Sequence, residues 1–389
     1  MLTHSAVFFY CSLFNIGTFA NDCKSFFQTF AFFLFELQTK NQTSRTELEL
    51  SLSQESKLTL AGLAKLAGVS TSTASRALND NPLIKEETRH RLQKLAQEHN
   101  FSLNRAASRL RTQKTNVVAV ILNLTDSTEQ SISDPFLLKV VADLNQALNA
   151  RGYEMLLSNS LMAKGEWANY FIHSQRADGL IIVGQGKSSE KIDAAVKNAA
   201  PLFVWGDPTA KTDYPIIGSD NRLGGYLAAQ KLLSTGCKKL MFLGDPEHAE
   251  MAQRYQGFKQ ALKDHQINED DAITVAIDIT SHAAYRQLNQ HIVSNGLQFD
   301  GIVASSDMVA LGALKALKER YINVPSEVAI VGFDDITMAE LFHPALTTVA
   351  QNTKLAAEQM VETLMARLAG ETVKSKMIDI ELVERHSTR

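Results

Sequence analysis

From residue 117 onward the chain alternates short β-rich apolar runs with helical stretches, and this rhythm leaves few folds open. The runs are VVAVIL (117–122), EMLLS (154–158), GLIIV (179–183), PLFVW (201–205), KLMFLG (239–244), GIVAS (301–305) and VAIVGF (328–333). Helical stretches such as 136–150, 222–235, 251–265 and 307–320 separate them. Strands that are apolar almost throughout have both faces covered, and intervening helices supply the cover, so parallel sheet is expected. About 270 residues of this kind exceed one sheet, which predicts two α/β subdomains.

The preceding segment has another character. Residues 59–78 read TLAGLAKLAGVSTSTASRAL. Leu60, Leu63, Ala64 and Ala67 recur at helical spacing and give a first helix one buried face. Gly68 suits a tight turn, Val69 plugs the angle between helices, and Ser70 stands where a hydroxyl can take an orphan N–H of a second helix. In that helix Ala74 and Leu78 face inward, which leaves Thr71, Ser72, Arg76 and Asn79 outside. Arginine can read guanine bidentately, serine and threonine are small adaptable readers, and asparagine can pair adenine or hold phosphate. The pattern is that of a helix–turn–helix aimed at the DNA major groove; a plain helical hairpin with one polar side is the alternative.

Charge favours the DNA reading. Between Lys57 and Lys114 eleven Lys or Arg stand against four acids, about +7 in a chain of net −3, so the remainder carries about −10. A basic module on an acidic body suits a polyphosphate partner. A third helix follows, with Glu86, Glu87 and Thr88 at its start and Leu92, Leu95 and Ala96 as its stripe, ending near Asn100-Phe101. Next comes NRAASRLRTQK (104–114), with three arginines and one prominent apolar side chain, Leu110. Such a helix has no core face of its own and is expected to order on contact with DNA or a second copy; a solvated linker is the alternative.

The run GVSTSTASRALN, then NRAASRLR, then VVAVIL, resembles the LacI/GalR transcription regulators. SDPF (133–136), DGLI (178–181), DN (220–221), RYQGF (254–258), SSDMVALGAL (305–314), PSEVAIVGFDD (325–335) and PALTTV (344–349) extend the resemblance over about residues 57–386. It implies that Thr71, Ser72 and Arg76 read bases, with Ser70 beside them, and that Thr59, Ser75 and Asn79 contact phosphate or backbone. It also implies that Asn104, Arg105, Ala107 and Leu110 form a hinge helix whose leucine wedges open a minor-groove step, at a cost repaid by a bent duplex. A two-fold protein then reads a near-palindromic operator as a homodimer.

The body resembles periplasmic sugar-binding folds, which implies a ligand cleft between subdomains and crossovers near 215–220 and 335–350. Asp134 and Phe136 follow the first strand's loop and Trp205 ends a strand; both aromatics could stack on a sugar ring or simply be core. Arg254, Ser306 and Asp334 match effector-contacting positions of the family, where arginine and carboxylate bind hydroxyls bidentately. Arg254 could instead pair on a helix surface, and Asp334 or Asp335 is expected to cap the next helix. Ile279 lies near where relatives place a ring-stacking aromatic. The expected effector is a mono- or disaccharide, with a co-repressing purine as the alternative.

Catalysis has little support. Gly184-Gln185-Gly186-Lys187-Ser188 resembles the end of a P-loop, but Ile181 stands where its first glycine belongs. Asp334 and Asp335 are sequence neighbours with no reason to converge as acid and base. His248, His282, His291 and His343 show no metal-ligand spacing with the three cysteines, so neither a metal nor a cofactor is expected. Ten of the nineteen Phe fall between residues 8 and 35, yet FFQTFAFFLFEL (26–37) is too short to span a bilayer and no Lys or Arg precedes AVFFYCSLF. Residues 1–50 are expected to be a translated upstream region with a mis-set start, the true start lying near Leu48, Leu50 or Leu52; a membrane tether is the alternative.

The expected organisation is an extension (1–56), a helix–turn–helix domain (57–102), a hinge (103–115) and an effector-binding and dimerisation domain (116–389). The expected function is a cytoplasmic, non-enzymatic repressor that binds double-stranded operator DNA. A sugar-binding transport protein would share the body but has no use for the basic module.

Overall fold

The computed structural model describes residues 58–101, 114–124, 128–162 and 166–389. They fall into a small helical unit and a larger α/β unit.

The small unit holds α1 (Leu60–Leu66), α2 (Thr71–Leu78) and α3 (Glu86–Glu98). Leu63, Ala64, Ala67, Ala74, Ala77 and Leu92 form its buried interior, and Leu60, Val69, Leu78 and Leu95 close over it. Gly68 turns the chain at φ +65°. That left-handed backbone is where a side chain would be strained. Arg91 of α3 donates to the Ala67 carbonyl at 3.1 Å, satisfying an orphan acceptor at the end of α1. The third helix stops at Glu98, slightly earlier than its sequence suggests, because Asn100 turns left-handed and Phe101 N–H donates back to Ala96.

The larger unit contains two six-stranded sheets. The first comprises β1 (Val117–Leu122), β2 (Glu154–Asn159), β3 (Gly179–Val183), β4 (Leu202–Trp205), β5 (Ile216–Ser219) and β11 (Lys376–Ile378). Their spatial order is β11-β5-β4-β3-β1-β2, all parallel. The second comprises β6 (Leu240–Leu243), β7 (Ile273–Val275), β8 (Gly301–Ala304), β9 (Ala329–Asp334), β10 (Thr347–Gln351) and β12 (Ile380–Val383). Its order is β12-β10-β9-β8-β6-β7, and β12 alone runs antiparallel to its neighbour.

Helices cover both faces of each sheet. In β1, Val118, Val120 and Leu122 enter one core with α4 (Pro135–Asn149) and α11 (Thr353–Leu368), while Val117, Ala119 and Ile121 enter another with α5 (Glu190–Lys197). In β9, Ile330 packs toward α8 (Ser281–Asn295) and α9 (Asp307–Glu319). Ala329, Val331 and Phe333 pack toward α6 (Asn221–Ser234) and α7 (Ala249–Asp264). The period of two therefore serves two cores at once, which is why the strands read as unbroken apolar runs.

The chain passes between the lobes three times: at Ser219–Asn221, at Gln351–Thr353 and at Ile378–Ile380. The first crossing begins where the sequence suggests. The second lies just beyond the expected 335–350, because β10 is completed in the second sheet before α11 returns to the first. The third was not anticipated: β11 and β12 are short edge strands with no apolar run to announce them.

Candidate nucleic-acid interface and ligand cleft

In the small unit, Thr59 Oγ1 accepts the Gly62 N–H at 3.1 Å and Ser70 Oγ accepts the Thr73 N–H at 3.1 Å, so each caps a helix. Ser70 Oγ also hydrogen-bonds the hydroxyls of Ser72 (2.9 Å) and Thr73 (2.8 Å), which fixes the first turn of α2. Thr71, Ser72, Arg76 and Asn79 are exposed and Ser75 is half-buried, opposite the buried Ala74 and Ala77. Ser72, Arg76 and Asn79 stand at i, i+4 and i+7 on one helix face. The Asn79 amide donates to the Ser75 carbonyl at 2.8 Å, serving the end of α2. Asp80 is left-handed at φ 53° and takes Gln93 at 2.6 Å and Arg89 at 3.6 Å, fastening the end of α2 to α3. Asn104, Arg105, Ala107 and Leu110 lie outside the described residues.

In the α/β unit Trp205 and Asp334 end strands and Ser306 follows one closely, the places where open α/β sheets hold ligands, while Asp134, Phe136 and Arg254 lie at or within the helices that follow β1 and β6. Asp134 caps α4 by accepting from Phe136 N (2.9 Å) and Leu137 N (3.2 Å), with Pro135 in the first turn. Burial raises its carboxyl above the usual range despite those bonds. Phe136 is half-buried and packs against cores of both lobes. It meets Trp205 edge-on, ring centroids 6.2 Å apart. Trp205 is buried in the first lobe's core, and Ile279 is half-buried against the second's.

Arg254 is buried in the interior, not on a helix surface. Its Nε donates to Asn221 Oδ1 at 2.9 Å, its Nη1 donates to the Ser305 carbonyl, and its guanidinium lies 3.6 Å over the Phe333 ring. Asp334 Oδ1 is 4.0 Å from Nη1. Burial pulls the arginine down and pushes Asp334 well up, each opposed by the other's charge. A close helix crossing makes this placement possible: a Cβ on Gly257 would stand 1.9 Å from the Arg222 carbonyl, and one on Gly225 1.9 Å from the Arg254 carbonyl.

Neither Asp334 nor Asp335 caps the next helix, α10 (Thr337–Leu341), which corrects the sequence expectation. Asp334 accepts from Gln351 at 2.7 Å and Asp335 from Arg385 at 2.7 Å. Asp307 takes the Ile336 N–H instead, at 2.9 Å, together with the Thr348 hydroxyl at 2.5 Å. Its carboxyl is fully enclosed, and burial raises it to about 7. Ser306 caps α9 through Val309 N at 3.2 Å.

Other residues of the cleft were not singled out from sequence. Gln351 accepts from Ser219 at 2.7 Å while donating to Asp334, so one amide joins two crossings to the candidate ligand carboxylate. Glu250, buried, pairs with His248 at 2.9 Å and accepts from Gln185 N, on the opposite lobe, at 3.3 Å. Desolvation works against both charges, but their mutual attraction wins, leaving the histidine raised and the glutamate lowered. The DN and GQG motifs mark this neighbourhood in sequence, but spacing alone does not show which partners meet. Among the described residues no group of three or more His, Cys, Asp or Glu is placed to hold a metal, and no helix is long and apolar enough to cross a membrane.

A capped helix–turn–helix and a hinged two-lobed receptor on one chain define a ligand-sensing DNA-binding regulator. Two family models match: "Bacterial regulatory proteins, lacI family" over residues 59–104, and "Periplasmic binding protein-like domain" over residues 229–388. The chain thus carries a LacI-family helix–turn–helix domain and a periplasmic-binding-protein-like domain, and its relatives are regulators of the LacI family. Among curated relatives, the transcriptional regulator MalR of Clostridium butyricum is 28% identical over 340 residues, covering 85% of this chain and 99% of MalR. The repressor PurR of Vibrio atlanticus is 26% identical, covering 85% and 98%. Among solved structures, a complex of the regulator CelR with cellobiose matches with a TM-score of 0.65 at 26% identity, covering 85% of this chain and 99% of that one. The lac repressor dimer bound to operator and an anti-inducer shares the fold, with a TM-score of 0.71 at 23% identity, covering 85% and 98%.

Proposed function

We propose that the chain is a cytoplasmic, homodimeric repressor that binds a near-palindromic operator and responds to a mono- or disaccharide held between its lobes. One observation carries this reading: the chain that presents Thr71, Ser72 and Arg76 on the open face of a capped helix also holds a buried Arg254–Asp334 pair in its second lobe, bonded to Asn221 and Gln351 at two of the crossings. Arginine and carboxylate together bind vicinal hydroxyls through charge-assisted bonds, and the cellobiose complex of CelR supports a sugar. Thr59, Ser70, Ser75 and Asn79 frame the base-reading residues. Asn104, Arg105, Ala107 and Leu110 are assigned to the minor groove from sequence. The working division is DNA-binding 57–102, hinge 103–115 and sensor 116–389. Asp134, Phe136, Trp205 and Ser306 complete the ligand site.

A dimer is favoured by an apolar groove of about 810 Å³ on the second lobe, lined by Tyr285, Met308, Leu311, Leu314 and Phe342, with Tyr321 exposed beside it. Apolar surface of this kind suits a protein contact. In the proposed mechanism ligand selects one closure angle, the angle sets the separation of the paired hinges, and operator and effector are coupled reciprocally by about 1–3 kcal/mol.

The test is retardation of DNA from the protein's own upstream region, with and without a panel of sugars and purines. Specific retardation released by a sugar is the expected result. Retardation that requires a purine would instead make it a co-repressed regulator, a reading the PurR relative favours. Tight sugar binding without specific retardation would point to a transport protein and defeat the proposal.

A further inference from the structure

The three crossings adjoin β5, β10, β11 and β12, at one edge of each sheet, so the lobes must part at the other edge. Besides the Glu250–Gln185 contact, two sets of contacts bridge the lobes away from the crossings. Asp278, just beyond the far-edge strand β7, accepts the Thr128 hydroxyl on Oδ1 at 2.7 Å and the Glu129 N–H on Oδ2 at 2.7 Å. Arg286 of α8 reaches the Glu129 carboxylate at 3.3 Å. Nearer the middle, Lys187 of the first lobe meets Asp245 at 2.5 Å and Glu247 at 3.6 Å in the second.

These bridges differ in strength. The Lys187 side chain is 45% exposed, and exposed ion pairs contribute little. Asp278 is half-buried and uses both oxygens in short, direct bonds, the charge-assisted arrangement that holds best. Thr128 and Glu129 lead directly into the turn that carries Asp134 and Phe136, and Phe136 packs on both lobes.

We propose that Asp278 is a positioning residue that clamps residues 128–129 across the interlobe gap and thereby holds the two halves of the ligand site in register. The inference deepens the ligand-sensing reading and rests on it, yet its test reads lobe closure without any ligand. Trp205 is one of two tryptophans, and the other, Trp167, is fully enclosed in a different core, so acrylamide quenching reports on Trp205.

Quenching, small-angle scattering and the thermal unfolding midpoint are compared in the unmodified chain, Asp278→Ala and Asp278→Asn. Asp278→Ala is expected to raise quenching and enlarge the radius at an unchanged midpoint, the closed-to-open ratio falling about tenfold, equivalent to about 1.4 kcal/mol. Asp278→Asn, which keeps one acceptor, should fall between. Unchanged quenching and radius in Asp278→Ala overturn the proposal. If Asp278→Ala lowers the midpoint, Thr128→Val decides: it removes one clamp bond from the other lobe, and unchanged quenching there overturns the proposal equally. A chain whose lobes open as expected but which never binds DNA specifically would defeat the regulator reading and leave the clamp standing.

Discussion

Arg76 and Asp334 occupy opposite extremes of environment. Arg76 is exposed on a helix held by Ser70, so its removal leaves the fold intact. Arg76→Ala is expected to cost about 1–3 kcal/mol at the base it reads and to relax preference there, seen as a flattened affinity profile across single-base operator variants. Asp334 is enclosed beside Arg254, where deleting the side chain would strand a buried cation. Asp334→Asn keeps an oxygen for Gln351 and should preserve folding and operator binding while weakening the ligand response about tenfold, measured by titrating release from DNA. The exposed face of α2 was legible because a 3.6-residue period separates faces in the sequence itself. Asp307, Gln351 and Glu250 were not. Their importance comes from partners 29, 17 and 65 positions away, and no local pattern records those meetings.

Elements with strong periodicity were read nearly to their ends: β1 spans 117–122, and α9 stops at Glu319 against an expected 320. The elements the sequence does not announce are the short strands β5, β7, β10, β11 and β12 and the helices α5, α8, α10 and α11, whose apolar residues are interrupted by polar ones. Helix packing itself hid one requirement. RYQGF carries Gly257, and the sequence gives no sign that a neighbouring backbone passes so close. Gly257→Ala would force α6 and α7 apart, at about 1–3 kcal/mol or more for an overpacked contact. A lowered unfolding midpoint together with weakened ligand response is the expected outcome; a wild-type midpoint would contradict the crossing.

Proton linkage belongs to the whole molecule. Folding holds a proton on Asp307 up to about pH 7, whereas the free carboxyl releases it near 3.8, so stability falls as pH rises between those values. His248 is raised above 6.5, so its contribution is intact below that value and is lost as pH climbs through the folded pKa. Glu250 is lowered, and its contribution is lost only on the acid side of 4.5. Between measurements at about pH 6 and about pH 8, the Asp307 and His248 losses run in the same direction and Glu250 adds none. The thermal midpoint is expected to be higher at the lower pH, and an equal or higher midpoint at the upper one would refute the buried Asp307 and His248 assignments.

The second crossing also has a consequence for biosynthesis. The first lobe is discontinuous: β1 to β5 end at Ser219, but α11 and β11, which cover its core and finish its sheet, begin at Thr353. At ordinary ribosomal speeds, the strands made first wait roughly ten seconds for their own cover. During that interval the second lobe is being translated, so the two lobes reach completion almost together. The small helical unit, with an interior of its own, has no such delay. A nascent chain stalled before residue 353 should therefore show a protease-resistant amino-terminal helical unit beside an exposed half-sheet, the species on which a chaperone would act.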